Sequence, residues 1–89
     1  MVSVKRIVLD VLKPHLPSAI DFSQAIAGVG EDYRVRLTVL EMDENTQTLS
    51  LEVEASSVDF EAIESAITSM GGSLHSIDQV DVQNEADDG

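Results

Sequence analysis

Hydrophobic positions along the chain change their spacing several times, and these changes divide it into six segments. Residues 4–12 form a nearly continuous apolar run rich in branched side chains, which is typical of a strand in the middle of a sheet. Residues 33–42 and 49–54 alternate apolar and polar positions instead, which predicts two half-buried strands. The polar residues 43–46 between them favour a turn, so we expect a hairpin. A last strand is predicted over residues 74–82.

Two segments have apolar residues at helical spacing. The first opens at Pro17 and stops at Gly28, which predicts a helix of about ten residues. The second has Ser57 as its predicted N-cap and ends before a pair of glycines. Its predicted buried stripe consists of Phe60, Ile63, Ala66, Ile67 and Met70.

The order of these segments is strand, helix, strand, strand, helix, strand. Right-handed crossovers place the first and third strands at the centre of the sheet. We therefore predict an α+β, ferredoxin-like βαββαβ sandwich: a four-stranded antiparallel sheet of order 4-1-3-2 with two helices on one face. At 89 residues the chain has enough apolar surface for one core. Residues 1–82 are assigned to this single domain, and residues 83–89 to an acidic, disordered tail.

The hairpin pattern predicts a register. A loop of residues 43–45, with Asn45 in the left-handed region, places Arg36 opposite Glu52 and Arg34 opposite Glu54. Such cross-strand ion pairs would help to fix the register of an edge strand.

The face that carries the arginines is not uniformly polar. Strict alternation puts Leu40 and Met42 on this outer face, and Val8 and Leu12 of the first strand on the same side. A monomer would expose this apolar surface together with unpaired strand edges, so we expect the protein to be a homo-oligomer.

Charge is the strongest compositional signal, since 17 acidic against 5 basic residues give a net charge of -12. Phosphate binding needs a cationic face, so nucleic acid and anionic membranes are excluded as expected partners. Two interpretations of the acidity remain: solvation in a salt-rich cytoplasm, as in a halophilic organism, or local cation binding. We expect a cytoplasmic protein, because no signal peptide is recognisable and no run of 18 apolar residues occurs.

Residues suited to catalysis are few, and no catalytic residue is assigned. The chain has no cysteine, and its two histidines lie in no known nucleophile motif. The predicted topology brings Asp10, Lys13, His15 and His75 toward one end of the sheet, which makes them the candidate ligand site. A single histidine in a small domain is more often a hydrogen-bonded structural residue than a catalytic one.

Carboxylates offer a candidate cation site. Asp10, Asp78 and Asp81 supply hard oxygen ligands of the kind that calcium or another divalent cation prefers. Asp78 has a competing structural interpretation, an ion pair with Arg6 on the adjacent strand. No other cofactor is expected.

Three motifs resemble one known family. They are residues 8–15 near the start, the hairpin segment 40–49, and residues 71–78 near the end. Together they are similar to the archaeal family called domain of unknown function 211, and the likeness covers nearly the whole chain. The resemblance implies a ferredoxin-like fold, an archaeal source and ring-shaped homo-oligomers, with calcium binding proposed for a relative. It implies no reaction. The scarcity of lysine departs from thermophilic members and fits a salt-loving archaeon.

Three functional hypotheses follow. The first is a non-enzymatic, oligomeric assembly or ligand-sensing module, because open sheet edges without an evident active site favour contacts over chemistry. The alternative is a regulator that binds a divalent cation such as calcium. The third is an enzyme that uses the Asp10, His15 and His75 end of the sheet.

Overall fold

The computed structural model describes residues 1–86, and it contains the six elements in the predicted order. Their bounds are β1 Val2–Pro14, α1 Ala19–Ala27, β2 Arg34–Met42, β3 Thr46–Glu54, α2 Phe60–Ser69 and β4 Ser73–Asn84. The sheet order is β2-β3-β1-β4 with every neighbouring pair antiparallel. This is the predicted order, so the ferredoxin-like fold is confirmed.

One face of the sheet, which we call the helix-side face, packs on the helices and forms the core. Odd-numbered residues 7–13 of β1 and 49–53 of β3 alternate onto it and are almost completely buried. The even-numbered residues of β3, and those of β1 from Arg6 onward, lie on the opposite, outer face. Core contacts are mainly aliphatic, and each fully buried side chain contributes about 1.5–3 kcal/mol. The core comprises Ile7, Leu9, Val11, Phe22, Ile26, Leu49, Leu51, Val53, Val58, Ile63 and Ile67.

Both helices begin at a side-chain cap, but one cap is not the predicted residue. Ser18 caps α1 and accepts a hydrogen bond from the amide of Asp21. At α2 the cap is Asp59, whose carboxylate accepts from the amide of Ala62, so the prediction of Ser57 is wrong. The amide of the buried Val58 donates to β1, which keeps the chain extended until that residue. Helix α2 therefore begins later than the sequence suggested.

The β2–β3 hairpin confirms the predicted register. Strand β2 ends at residue 42 and β3 begins at residue 46, and Arg36 lies opposite Glu52 and Arg34 opposite Glu54. The predicted left-handed conformation of Asn45 is wrong. Within residues 1–86 the non-glycine residue with positive φ is Asp32, at φ 57, which precedes β2.

A β-bulge in β2 changes which side chains share a face. The register with β3 shifts between Val39 and Glu41, and Met42 then pairs with Gln47. Because odd-numbered β3 residues face the helices, Met42 lies on the helix-side face. The prediction that it lies on the outer face is wrong, since strict alternation fails at a bulge.

Strand β4 is longer and less regular than predicted. It includes Gln83 and Asn84, which the sequence assigned to the tail, and residues 87–89 of that tail lie outside the described residues. Its register with β1 shifts three times, at His75 and Asp78 of β4 and at Lys5 of β1. Consequently Arg6 is paired with Asp81, and the predicted ion pair with Asp78 is replaced by one three residues further along. Neither α1 nor α2 has the length and apolar character needed to cross a membrane.

Candidate functional site

The four candidate ligand residues lie near one end of the sheet but on different faces. Asp10 and Lys13 are three residues apart in a stretch of β1 whose register with β3 is unbroken, so they face opposite sides. Asp10 lies on the outer face, and Lys13 on the helix-side face. His75 sits at the β4 irregularity next to the pair Asp10 and Ser76, and His15 follows the end of β1. The structure therefore does not bring the four side chains into one cluster.

Among residues 1–86, Lys13 is the one charged residue that is buried, and it is 0% exposed. Its Nζ donates to the backbone oxygens of Pro14 at 2.8 Å and His15 at 3.4 Å, and lies 5.9 Å from the centre of the Phe22 ring. Desolvation lowers the pKa of Lys13 below its ordinary value. Gln47 is its cross-strand partner, and the Oε1 atom of Gln47 is buried without a hydrogen bond from the protein. Lys13 thus secures the end of β1 and is closed to a ligand from solvent.

His15 joins two connections of the fold. Its Nε2 lies 3.0 Å from the backbone oxygen of Asp43 and 3.0 Å from that of Glu44, so this nitrogen carries the hydrogen and donates to them. The contact holds the β2–β3 turn against the segment that leads into α1. This engagement matches the structural interpretation of a single histidine.

The candidate cation ligands are also separated. Asp81 is 3.6 Å from a guanidinium nitrogen of Arg6, and Asp78 accepts a 2.7 Å hydrogen bond from Ser76. Asp10 lies between the serines of the neighbouring strands. Across residues 1–86, no three imidazole or carboxylate side chains come close enough to hold one metal ion. A single copy of the chain therefore does not supply a calcium cage from these residues.

Basic side chains are concentrated on the outer face. Arg6 contacts Glu52 and Asp81, and Arg36 lies 3.8 Å from the second oxygen of Glu52. The hydrogen bond to Glu52 is the main cause that raises the pKa of Arg6 above its ordinary value. A shallow pocket of about 220 Å³ on this face is lined by two arginines and two glutamates. Each arginine pairs with a glutamate, so the side chains that line the pocket carry no net charge.

Strand β4 carries an apolar surface that the sequence pattern did not predict, and we call it the β4 apolar row: Ile77, Val80 and Val82. Their partners on β1 are Leu9, Ile7 and Val4, so they lie on the helix-side face. Yet they are 49%, 47% and 55% exposed. Two extra residues in β4, at His75 and Asp78, interrupt the alternation of its side chains between the two faces. A strict apolar–polar alternation in the sequence therefore does not predict that these residues share a face.

The β4 apolar row is uncovered because β4 is an edge strand. Its partners Leu9 and Ile7 lie at the same height on the central strand β1 and are buried, so the helices cover the centre of the sheet and not this edge. The ten residues of α2 span about 15 Å at 1.5 Å per residue. The twelve residues of β4 span about 40 Å at 3.3 Å per residue. The protein is accordingly elongated, with principal extents of 53 × 22 × 17 Å. The ends of β4 therefore extend beyond a helix of this length.

Residues 8–15 and 71–78, two of the segments that resemble a known family, meet at the end of the sheet where Lys13 is buried. Gly71 has φ +84, and a Cβ atom there would lie 3.4 Å from Pro14. A Cβ atom on Gly72 would lie 2.9 Å from the side chain of Ile67, so the backbone has no room for one. These glycines, together with Lys13, give the two motifs a role in packing.

Comparison with known proteins identifies the family of the chain. The family model DUF211, described as Uncharacterized ArCR, matches residues 5–85. The chain belongs to this family. An uncharacterised protein of the archaeon Methanocaldococcus jannaschii is 39% identical over 80 residues, which cover 90% of this chain and 82% of the relative. Membership supports the archaeal likeness, and it brings no activity with it.

Proposed function

We propose that this protein is a non-enzymatic module that works as a homo-oligomer, in assembly or in sensing a ligand. The observation that carries the proposal is the β4 apolar row, which lies on the core-forming face without a helix above it. Ring closure is the form of assembly that the family resemblance favours.

Exposed edges strengthen this argument. Strands β2 and β4 are the two edges of the sheet, and each presents unpaired backbone groups to solvent. Leu40 and Met42 near the end of β2 are also exposed. Natural proteins usually cover apolar surface that adjoins open edges, and a second copy of the chain is the simplest cover.

The geometry of the candidate residues supports a role without catalysis. Lys13 is enclosed, and the Nε2 of His15 is engaged with two backbone oxygens. Asp10 lies on the other face of the sheet from Lys13. A general acid–base pair must reach one reacting group, and residues on two faces of a sheet do not.

Calcium regulation is the alternative function, and the structure sets a condition for it. Because Asp10, Asp78 and Asp81 form no three-ligand group in the described part of one chain, calcium would need ligands from two copies. Cations would also reduce the repulsion between chains that each carry a charge of -12. Calcium is therefore tested together with assembly.

Size-exclusion chromatography with light scattering tests the proposal. In high salt we expect a mass several times the 9.6 kDa of one chain, and Ile77→Ser should lower it. Leu16→Ser is the matched control, because Leu16 is an exposed apolar residue outside β4. Adding calcium or a chelator shows whether cations strengthen the contact. A monomer at every protein concentration, in high salt with calcium or magnesium, would contradict the assembly proposal and its cation role.

A further inference from the structure

A row of alternating charges crosses all four strands on the outer face. Arg34 of β2 is opposite Glu54 of β3, Glu54 is opposite Arg6 of β1, and Arg6 is opposite Asp81 of β4. A guanidinium nitrogen lies 3.9 Å from a carboxylate oxygen in the pair Arg34 and Glu54, and 3.6 Å in the pair Arg6 and Asp81. The row therefore begins with a positive charge at one sheet edge and ends with a negative charge at the other.

The two sheet edges differ in charge beyond this row. Strand β2 carries Arg34 and Arg36, two of the five basic residues of the chain. Strand β4 carries Asp78 and Asp81 and no lysine or arginine. Two β4 edges brought together would oppose aspartates, and two β2 edges would oppose arginines. Unlike edges are thus the electrostatically complementary combination.

Strand directions permit the unlike edges to pair. Each strand is antiparallel to its neighbour in the order β2-β3-β1-β4, so β2 and β4 run in opposite directions. A second copy that continues the sheet, with its helices on the same side, would therefore place its β2 antiparallel to β4 of the first.

The helix-side face supports the same register. Residues aligned across the sheet run from Val35 through Val53 and Ile7 to Val80, and this line is next to the charged row. A contact that places Asp81 beside Arg34 of the next copy also places Val80 beside Val35 of the next copy. One register therefore satisfies charge on one face and apolar contact on the other.

We propose that the copies associate through unlike edges, with β4 of one copy paired to β2 of the next and Asp81 facing Arg34. This inference rests on the proposed homo-oligomer and specifies its contact. A contact between two different patches is heterologous, so repetition closes a ring when the rotation between copies permits it. Each copy would then leave no free edge.

Engineered cysteines test the contact, because the natural chain has none. In one chain, residues 34 and 81 lie on opposite sheet edges, roughly 14 Å apart at three strand spacings, which is too far for a disulfide. The variant carrying both Arg34→Cys and Asp81→Cys should therefore form only links between copies. After oxidation or treatment with a short bis-maleimide, we expect covalent products larger than a dimer. Each single-cysteine variant should remain uncrosslinked.

Other crosslinking patterns would overturn the inference in distinct ways. A covalent dimer from Asp81→Cys alone would indicate a contact between like β4 edges. Absence of crosslinks in a protein that light scattering shows to be oligomeric would place the contact elsewhere and leave the proposed homo-oligomer intact. A monomer by light scattering would overturn both proposals.

Charge reversal provides a second test that needs no crosslinking. Asp81→Arg should weaken self-association about tenfold or more, since the introduced guanidinium would meet Arg34 of the next copy. Arg34→Asp should do the same. An equimolar mixture of the two variants should recover assembly, because every contact between unlike variants pairs opposite charges. Glu64→Arg is the control, with the same reversal of an acidic side chain at an exposed position on α2. Failure of the mixture to recover, with both variants folded, would contradict the inference.

Discussion

Strands β3 and β4 both flank β1, both run antiparallel to it, and both place apolar residues on the same face of the sheet. Leu49, Leu51 and Val53 of β3 are completely buried, whereas Ile77 and Val80 of β4 are about half exposed. The residue types are alike, so the difference comes from what lies above them. The helices cover the central strands and leave the edge strand β4 open. Burial is thus decided by the layer that packs on a strand, and the uncovered strand is the part available for contacts.

Truncating one apolar residue on each strand gives the largest expected contrast. Leu51→Ala should lower the free energy of unfolding by about 2–5 kcal/mol, because it leaves a cavity in the core. Val80→Ala should lower it by less than about 1 kcal/mol in conditions where the chain is monomeric. Urea unfolding measures both values. Equal losses would show that β4 is covered within one copy.

Lys13 is the opposite case to the β4 apolar row, because it is a charged residue that is buried. Replacement by Met, which has a similar length, removes the desolvation of the ammonium and should raise the free energy of unfolding at neutral pH by about 1–3 kcal/mol. The two backbone oxygens that lose a donor act against this gain. A decrease of similar size would show that these hydrogen bonds outweigh desolvation.

The lowered pKa of Lys13 also gives a pH dependence with a definite sign. Between the folded-state pKa and the ordinary value of 10.5, the unfolded chain binds more protons than the folded chain. Stability from this residue therefore increases as the pH rises through that window. Denaturant unfolding of the natural chain and of Lys13→Met across alkaline pH measures it, since the variant should lack this part of the increase.

Salt should affect the whole surface. A net charge of -12 on a small chain favours expansion, and added salt screens that repulsion. Raising monovalent salt from low to molar concentration should increase the melting temperature by about 5 °C or more, equivalent to roughly 1 kcal/mol. Coinciding thermal melts would contradict the interpretation of the acidity as salt adaptation.

The smallest expected contrast concerns the outer face. Arg36 reaches Glu52 at 3.8 Å from an exposed position, so Arg36→Gln should cost no more than about 0.5 kcal/mol. Arg6→Gln should cost more, because the less exposed Arg6 contacts both Glu52 and Asp81. Urea unfolding of the two variants ranks them. A larger loss for Arg36→Gln would show that the ion pairs at the β2 edge contribute more to stability than those of Arg6.

Regular alternation accounts for most of what could be predicted. The pattern of β2 and β3, with a three-residue loop, fixed the pairing of Arg36 with Glu52. Where a bulge interrupts alternation the prediction failed, as for Met42, which changed face, and for Arg6, which pairs with Asp81. A bulge depends on contacts with the neighbouring strand, and local sequence carries little signal of it.

The candidate site was predictable in part only. Topology correctly indicated that residues near Asp10 and His75 lie close along adjacent strands, because crossover handedness determines which strands meet. It could not show that Lys13 points into the core, where its ammonium bonds to backbone oxygens of the next two residues. That placement depends on how α1 and its connection close over the end of the sheet.

The sequence by itself determined the six elements, their order, the sheet topology and the acidic surface, because periodicity, turn residues and charge are local or additive properties. Tertiary structure alone decided the faces of Met42 and Asp81, the burial of Lys13 and the exposure of the β4 apolar row. The physical reason is that burial depends on which strands the helices cover, and this is set by the arrangement of the elements in space. Leu9 and Ile77 lie opposite each other on adjacent strands, yet Leu9 at the centre of the sheet is buried and Ile77 at its edge is about half exposed.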